Sequence, residues 1–473
     1  MAPVAALLVL NSLAADVSVR LYWQQGGPQA KTIKVPLEEY VAAVLAGEAA
    51  GMRSPESLKA MAVAARTYAM KFKGRHAREG FDFCDTTHCQ DYRRSNVTEA
   101  VTAAAEATEG ELLWYRGALV AAYYSAHCGG MSEASPEGPY LNQHRDPWCL
   151  RQQENWRTVL SREEIQTALK PLGLPVPPMF TQMAVVTRTP SNRAVRLNLS
   201  GAEVDAPMFR QAVGRLIGWD RLPSGWYDVA QINGQFVFAG RGRGHGIGLC
   251  QAGCTRMGEE GKTYREILQF AYPGMTLGLS ASGFAWQYTG GERVDVFTAA
   301  PDAMLVAATD NALREAEQAS GLTYRNRPRL RVYPNLSAYR NATGESGAVA
   351  ATTRGFTIRM QPPEILRARR VLEATLRHEM LHLVLESVAA RDQPWWFREG
   401  LVLALNNERP AYPRYRAAAE RVNALLARFG RETVFNYWRN GLPPDAQVEP
   451  RRVQQQPSPS PAQNKAGTLQ RKP

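Results

Sequence analysis

The spacing of apolar side chains along the chain predicts a mixture of strands and helices. Residues 17–23 alternate apolar and polar positions, which is typical of a half-buried strand. From Leu37 onward, apolar residues recur every three or four positions, which predicts a helix over residues 37–48. Ser161 and Glu164 have the spacing of a capping box, so we expect another helix to begin there.

The C-terminal half has the same mixed character. The predicted strands are residues 294–297, 329–333, a short segment around Val349, and 356–360. The predicted helices are residues 304–319 and a long segment through 377–386. The expected fold class is therefore α+β, with a mixed α/β domain followed by a smaller α+β domain.

Composition divides the chain into four predicted segments. Residues 1–15 are an apolar run that ends in small residues, which is typical of a secretory signal peptide; an ordinary buried strand or helix is the alternative. A break at residues 289–291 separates a predicted first domain, 16–288, from a second, 292–442. Residues 443–473 are rich in Gln, Ser and Pro, and we expect a disordered tail there.

Overall composition limits the function classes. Of the 473 residues, 45% are hydrophobic and 21% are charged, which excludes a largely disordered chain. The net charge of +12 favours a polyanionic partner such as nucleic acid, an anionic membrane or an acidic cell-wall polymer. No run of 18 apolar residues occurs, so we expect no transmembrane helix. Six cysteines are compatible with export.

A carboxylate interrupts the apolar face of the helix predicted over residues 37–48. Glu48 occupies the position where the spacing predicts another apolar side chain. A carboxyl group held against apolar neighbours ionises less readily, so its pKa rises toward the range that a general acid needs near neutral pH. The alternative is that Glu48 lies at a frayed helix end and faces water.

Ordered sequence blocks around Glu48 carry a resemblance to a known family. The blocks lie at residues 35–48, 58–68, 84–92, 124–130, 242–251, 261–268 and 272–274. Together they resemble the SpoIID family of cell-wall lytic transglycosylases, over about residues 17–277.

The resemblance implies that Glu48 is the catalytic acid. It implies cleavage of peptidoglycan between N-acetylmuramic acid and N-acetylglucosamine, with a 1,6-anhydro product instead of hydrolysis. Glu48 would protonate the leaving oxygen and then accept a proton from the sugar's own hydroxyl group, so a second carboxylate is not needed. The substrate-binding residues that we expect from matching positions are Lys59, Arg66, Tyr68, Gln90, His245 and Gln251. Alternatively, the basic ones are only solvated and Tyr68 belongs to an apolar helix face.

Four potential zinc ligands lie close together in the sequence. Two thiolates and two imidazoles, from His76, Cys84, His88 and Cys89, suit tetrahedral zinc, and some SpoIID relatives bind zinc through matching residues. The alternative is a disulfide between Cys84 and Cys89, with His76 merely on the surface. The other cysteines, Cys128 with Cys149 and Cys250 with Cys254, are candidate disulfide pairs whose pairing the sequence does not fix.

A second candidate metal site lies in the C-terminal half. Residues 378–382 read His-Glu-Met-Leu-His inside an apolar helical pattern, which puts His378 and His382 on one helical face. Glu379 would take a proton from zinc-bound water, and Glu399, in a Trp-Phe-Arg-Glu-Gly sequence, is the expected third ligand. Over about residues 294–437 this resembles gluzincin-type peptidases. The alternative is a buried helix whose histidines are satisfied by hydrogen bonds.

These observations predict an exported enzyme of the bacterial envelope, periplasmic or associated with the cell wall. The expected partners are peptidoglycan glycan strands and a peptide or protein substrate, with zinc as cofactor and without nucleic acid. Two alternatives stay open. The first domain could bind glycan or enhance an amidase without cutting, or it could only anchor an active peptidase.

Overall fold

The computed structural model describes residues 16–22, 30–173 and 179–444. The predicted signal peptide, residues 1–15, and nearly all of the predicted tail lie outside the described residues. About 42% of the described residues are helical and 22% are in strands, which are arranged in several small sheets, so the predicted α+β class is confirmed.

Nineteen short strands are found in the described ranges. They are β1 Asp16–Arg20, β2 Thr32–Pro36, β3 Phe83–Cys84, β4 Leu112–Tyr115, β5 Ala118–Leu119, β6 Tyr124–Ser125, β7 Asn155–Leu160, β8 Met183–Arg188, β9 Ala194–Leu199, β10 Ala202–Asp205, β11 Tyr227–Ile232, β12 Gln235–Arg241, β13 Leu249–Cys250, β14 Thr276–Gly278, β15 Gln287–Gly290, β16 Asp295–Thr298, β17 Arg329–Val332, β18 Ala351–Arg354 and β19 Thr357–Met360.

The helices of the same ranges are of very different lengths. They are α1 Leu37–Glu48, α2 Pro55–Phe72, α3 Glu99–Ala107, α4 Arg162–Leu169, α5 Ala206–Leu216, α6 Gln251–Glu259, α7 Tyr264–Ala271, α8 Ala303–Ser320, α9 Leu336–Thr343, α10 Pro363–Ala368, α11 Leu372–Glu386, α12 Trp395–Leu405 and α13 Pro413–Asn440.

Two compact units divide the chain. Unit 1 comprises Met1–Ala312 and Asn326–Glu379, and unit 2 comprises Leu313–Arg325 and Met380–Pro473. The predicted division at residues 289–291 falls inside unit 1. Thr289 and Gly290, predicted as a break, instead belong to β15, which pairs with β16.

The core of unit 1 is built around α1 and α2. Both helices are rich in alanine, and α2 buries alanines on several sides, including Ala60, Ala62 and Ala64 at 0% exposure. Small side chains allow α2 to contact α1, α3, α6 and α7. The four helices that contact α2 can therefore pack close to it.

Residues 155–241 form a substructure with a core of its own. Strands β11-β12-β7 and β10-β9-β8 make two three-stranded antiparallel sheets, and α4 and α5 pack with them around Phe209, Phe236 and Phe238. The predicted capping box of Ser161 and Glu164 is present at the start of α4. This substructure lies inside the predicted first domain, residues 16–288, and was not predicted as a separate part.

A five-stranded sheet of unit 1 has the order β15-β16-β17-β19-β18. Strands β16, β17 and β19 are parallel, and the two edge strands are antiparallel. The strands predicted at 294–297, 329–333 and 356–360 are found there, and the one expected around Val349 lies at Ala351–Arg354.

A buried ion pair network links this sheet to the α3–β4 turn. Glu109, 3% exposed, lies 3.2 Å from Arg331 Nε and also pairs with Arg359. Burial by itself raises the pKa of Glu109, but Arg359 and Arg331 outweigh it and lower the pKa to about 2. Glu109 is therefore ionised at neutral pH.

Unit 2 is helical in its described part. Gly400 in α12 allows α13 to come close, because a side chain there would lie 2.4 Å from the carbonyl oxygen of Ala418. The long helix α13 bends at Gly430, whose φ of 77° is not helical. Trp438 packs edge-on against Phe397. Across the described ranges, we find no helix long and apolar enough to cross a membrane.

Candidate functional site

Glu48 is the last residue of α1, and its side chain is half-buried. Two donors hold its carboxylate. The backbone N–H of Asp91 donates to Oε1 at 2.9 Å, and the Gln251 amide donates to Oε2 at 3.2 Å. The carboxyl group is therefore fixed by the protein instead of turning freely in water, and the structure brings together Glu48 and Gln251, which was predicted as a substrate-binding residue.

The environment of Glu48 raises its pKa, so its carboxyl group stays protonated at a higher pH than it would in water. Burial raises the pKa of Glu48, and the nearby Asp91 carboxylate raises it further. The hydrogen bonds from the Asp91 N–H and the Gln251 amide act in the opposite direction, and the net shift is upward. This is the direction that the apolar spacing predicted for a general acid.

Gly47 makes this arrangement possible. A side chain at residue 47 would lie 2.1 Å from the carbonyl oxygen of Asp91. Only glycine lets the loop with Asp91 come close enough to donate to Glu48. This packing role of Gly47 depends on a contact with a distant loop, so the local spacing around residue 47 does not show it.

Gln90 is a positioning residue and not an exposed binding group. It is 1% exposed, its oxygen accepts from the Tyr40 hydroxyl at 3.0 Å, and its amide donates to the Tyr124 hydroxyl at 2.8 Å. The prediction that Gln90 contacts substrate is therefore wrong for this structure, because both ends of its amide are bound inside the protein. Tyr124, half-buried, was not among the predicted site residues.

Tyr124 remains a neutral hydrogen-bonding group near Glu48. Burial raises its pKa well above the ordinary value, and the charge of Glu48 raises it further. The sequence signal for Tyr124 was its place in the block at residues 124–130.

The three predicted binding residues on α2 have different surroundings. Arg66 is 0% exposed, and its guanidinium forms an ion pair with Glu38 at 2.6 Å and donates to backbone oxygens. Arg66 therefore stabilises the core, and its predicted contact with glycan is wrong. Tyr68 is 7% exposed and packs against Phe72, as its apolar spacing allowed. Lys59 is half-exposed and pairs with Glu56 at 2.6 Å.

The glycine-rich segment before α6 folds tightly against β6. Gly248 has a φ of 70°, and a side chain there would lie 2.0 Å from the carbonyl oxygen of Tyr123. Strand β13 then pairs with β6 and leads directly into α6, which begins with Gln251. His245 is exposed, and its Nδ1 accepts from the backbone N–H of Ile247 at 3.0 Å.

All four predicted ligands of the first metal site converge. The ligand atoms of His76, Cys84, His88 and Cys89 lie within 4.8 Å of one another. His76 Nε2 is 3.3 Å from Cys89 Sγ, and His88 Nδ1 is 3.7 Å from each sulfur. Both cysteines are free, so the structure does not contain the alternative disulfide.

The surroundings of this cluster suit a metal. Glu79 Oε1 lies 2.6 Å from His76 Nδ1, which directs His76 Nε2 toward the sulfurs. The contact between the two thiols lowers the pKa of Cys84 and raises the pKa of Cys89, so one thiolate forms readily in this pair.

The His-Glu-x-x-His segment lies within the continuous helix α11. His378 and His382 are one turn apart on it, and both are buried. In unit 2, His382 Nε2 lies 3.5 Å from Oε1 of the buried Glu399, and His382 Nδ1 lies 3.6 Å from Glu386. In unit 1, Glu379 Oε2 accepts from the Thr353 hydroxyl at 2.6 Å. Within unit 2, His382 and Glu399 are therefore close enough to share a ligand.

Comparison with known families matches two parts of the chain. Residues 25–115 match SpoIID, described as stage II sporulation protein, and residues 150–248 match a domain of unknown function, DUF8618. The first range contains Glu48 and the four ligands of the first metal cluster. The second nearly coincides with the substructure at residues 155–241. The match to SpoIID thus lies within the N-terminal part of the predicted first domain.

Similar proteins cover about half of this chain. An uncharacterized protein of Brachyspira hyodysenteriae is 31% identical over 51% of this chain and 66% of its own length. Stage II sporulation protein D of Bacillus amyloliquefaciens is 26% identical over 54% of this chain and 77% of its own. The amidase enhancer of Bacillus subtilis is 29% identical over 50% of this chain, but only 39% of the enhancer's length is matched.

Proposed function

We propose that this protein is an exported peptidoglycan lytic transglycosylase and that Glu48 is its catalytic residue. The observation that carries the proposal is the Glu48 carboxyl group, fixed by Asp91 and Gln251 with a raised pKa. The match to SpoIID and the similarity to sporulation protein D support it. The net charge of +12 favours an anionic cell-wall polymer as partner.

The proposed reaction uses one carboxyl group twice. Protonated Glu48 gives its proton to the glycosidic oxygen, and the bond between this oxygen and the anomeric carbon of N-acetylmuramic acid breaks. The Glu48 carboxylate then takes the proton of the sugar's C6 hydroxyl while that oxygen bonds to the anomeric carbon. A 1,6-anhydro end results, and Glu48 is protonated again.

Mass spectrometry of material released from purified sacculi tests this proposal. A lytic transglycosylase leaves 1,6-anhydro ends, whereas a hydrolase leaves reducing ends. The alternative, a glycan-binding module comparable to an amidase enhancer, would release neither product by itself. The similarity to the amidase enhancer of Bacillus subtilis supports this alternative.

The pH profile of cleavage should depend on Gln251. Its amide donates to the Glu48 carboxylate and thereby lowers the Glu48 pKa. In Gln251→Leu this effect is lost, so we expect the pKa of Glu48 to rise and the alkaline limb of the kcat/KM profile to move to higher pH. Arg256→Gln, an exposed change on the same helix, should leave the profile unchanged. An unmoved or lower limb in Gln251→Leu would contradict the role of Glu48 as acid.

We further propose that His76, Cys84, His88 and Cys89 hold zinc. Two thiolates and two imidazoles suit tetrahedral zinc, and the four ligand atoms converge within 4.8 Å. A zinc ion there would be structural, since it would tie the loop at residues 84–89 together. This loop leads directly to Asp91, whose N–H holds Glu48.

Loss of one ligand should remove this zinc. We expect Cys84→Ser to contain one zinc ion fewer per chain than the wild type, by elemental mass spectrometry, and to melt at a lower temperature. Thr87→Ala, an exposed change in the same loop, should retain the zinc. Equal zinc content in both variants, or a Cys84–Cys89 disulfide in the purified protein, would exclude the site.

A zinc metallopeptidase activity is a second candidate function. His382 and Glu399 face each other at 3.5 Å, and His378 lies one turn earlier on the same helix. Zinc held by these residues would polarise a peptide carbonyl and activate water. Glu379 is buried, and the Thr353 hydroxyl fixes one oxygen of its carboxylate, so Glu379 is the proposed base.

Two variants separate metal binding from peptide cleavage at this site. His382→Ala should lose one zinc ion per chain, because it removes a ligand. Glu379→Gln should keep the zinc and lose peptide cleavage, measured with a broad peptide library. Glu373→Gln, an exposed change on α11, should affect neither. Unchanged zinc content in His382→Ala would contradict the proposed ligand set.

A further inference from the structure

Three of the six cysteines gather in the core of unit 1 around a buried carboxylate. Cys128 follows β6, Asp146 and Cys149 precede β7, and Cys250 ends β13. One ligand atom from each of the four residues lies within 4.8 Å of the others. Their exposed fractions are 1% for Cys128 and Asp146, 0% for Cys149 and 8% for Cys250.

Backbone hydrogen bonds fix the donor atoms of this cluster. The N–H of Cys149 donates to Asp146 Oδ1 at 2.8 Å, and Asp146 Oδ2 lies 3.6 Å from Cys128 Sγ. The N–H of Cys128 donates to Cys250 Sγ at 3.3 Å, and the N–H of Gly253 approaches the same sulfur at 3.5 Å. N–H groups directed at sulfur and oxygen stabilise negative charge on these atoms, as they do around metal-bound thiolates.

We propose that Cys128, Asp146, Cys149 and Cys250 bind one zinc ion. Three sulfurs and one carboxylate oxygen are a tetrahedral donor set that zinc accepts, and soft sulfur donors select against magnesium and calcium. Zinc–sulfur bonds of about 2.3 Å put ligating sulfurs about 3.8 Å apart in a tetrahedron. A separation below 4.8 Å therefore needs only small side-chain movements.

The space beside the donor atoms is small. A cavity lined by Cys128, Asp146 and Cys250, but not by Cys149, has a volume of about 10 Å³. That is the space of about one small atom or water molecule.

The positions of the ligands give the ion a structural role. They come from three chain segments that are far apart in sequence, since Cys128 and Cys250 are separated by 122 residues. Cys250 is the N-cap of α6 and immediately precedes Gln251. The ion would thus join these segments, whether or not the protein cleaves glycan.

Cobalt absorption can detect this site separately from the other two. In Cys84→Ser/Cys89→Ser, thiolate ligands remain only in the proposed cluster, because the His378 region contributes no cysteine. We expect one equivalent of Co²⁺ to give this protein a thiolate-to-cobalt charge-transfer band, and zinc to abolish the band; Co²⁺ bound at His378, His382 and Glu399 would give no such band. Adding Cys149→Ser should weaken the band, because it removes one of the three thiolates, and also adding Cys128→Ser and Cys250→Ser should abolish it. Adding Cys254→Ser should keep it, because Cys254 lies outside the donor set and approaches the Ser57 carbonyl oxygen.

Thiol alkylation of the unmodified chain tests the same site without depending on the folding of a variant. With zinc bound, we expect Cys128, Cys149 and Cys250 to be protected, and a chelator to increase their alkylation at least tenfold. The chelator should change Cys254 much less. The proposal would be overturned by a missing charge-transfer band, by alkylation that the chelator does not change, or by a disulfide joining two of the three cysteines in the purified protein.

Discussion

Glu48→Gln is expected to lower the rate of 1,6-anhydro product release from purified sacculi by about 100- to 10,000-fold, the usual contribution of a positioned general acid. The amide has nearly the same shape and still accepts the hydrogen bond from the Asp91 N–H, so the fold should persist. It cannot protonate the glycosidic oxygen at any pH, and it cannot take a proton from the sugar hydroxyl group.

Glu39→Gln is the matched control for this experiment. Glu39 lies on the same helix, but its side chain is exposed. This variant should cleave at the wild-type rate. If Glu48→Gln releases anhydro products as fast as the wild type, the proposed mechanism fails. If the wild type releases none but still binds glycan strands, the binding-module alternative is favoured.

Glu109→Gln should destabilise unit 1 by about 3–5 kcal/mol, the usual cost of removing one partner from a buried ion pair. The neutral amide would leave Arg331 and Arg359 without their buried countercharge. Urea unfolding followed by circular dichroism measures this loss. Glu106→Gln is the control, because its ion pair with Arg329 is exposed and should contribute at most about 1 kcal/mol.

The same carboxylate predicts how stability depends on pH. Its pKa is about 2 in the folded protein and about 4.3 in an unfolded chain. The unfolded state therefore binds the proton more readily, so the contribution of Glu109 is complete above about pH 5 and is lost as the pH falls toward 2. This difference corresponds to about 3 kcal/mol. In Glu109→Gln the free energy of unfolding should depend less steeply on pH in that range. An equally steep loss of stability in the variant would mean that other groups cause the pH dependence.

Part of the candidate site was predictable because its signals are local. Helical spacing placed Glu48 at the end of a buried helix, and the interval of four residues put His378 and His382 on one face of α11. The spacing between Cys84 and Cys89 limits how far apart their sulfurs can be. Such relationships are determined by the geometry of a few consecutive residues.

The errors have a common physical cause. Arg66 and Gln90 were expected to contact substrate because they match positions of the SpoIID family, and such a match does not show which side chains are buried. In the structure, Arg66 is neutralised by Glu38 and Gln90 is satisfied by Tyr40 and Tyr124. These partners are 28, 50 and 34 residues away, so no local pattern contains them.

The sequence by itself determined the α+β class, several of the helices and strands, and the identity of the acidic and candidate metal-binding side chains, because spacing and residue chemistry are properties of short segments. The tertiary structure decided which of these side chains meet. Glu48 receives one hydrogen bond across 43 residues and another across 203, and Cys250 joins Cys128 across 122. Contacts of this length depend on how the whole core packs, and packing is a property of the folded chain and not of any segment.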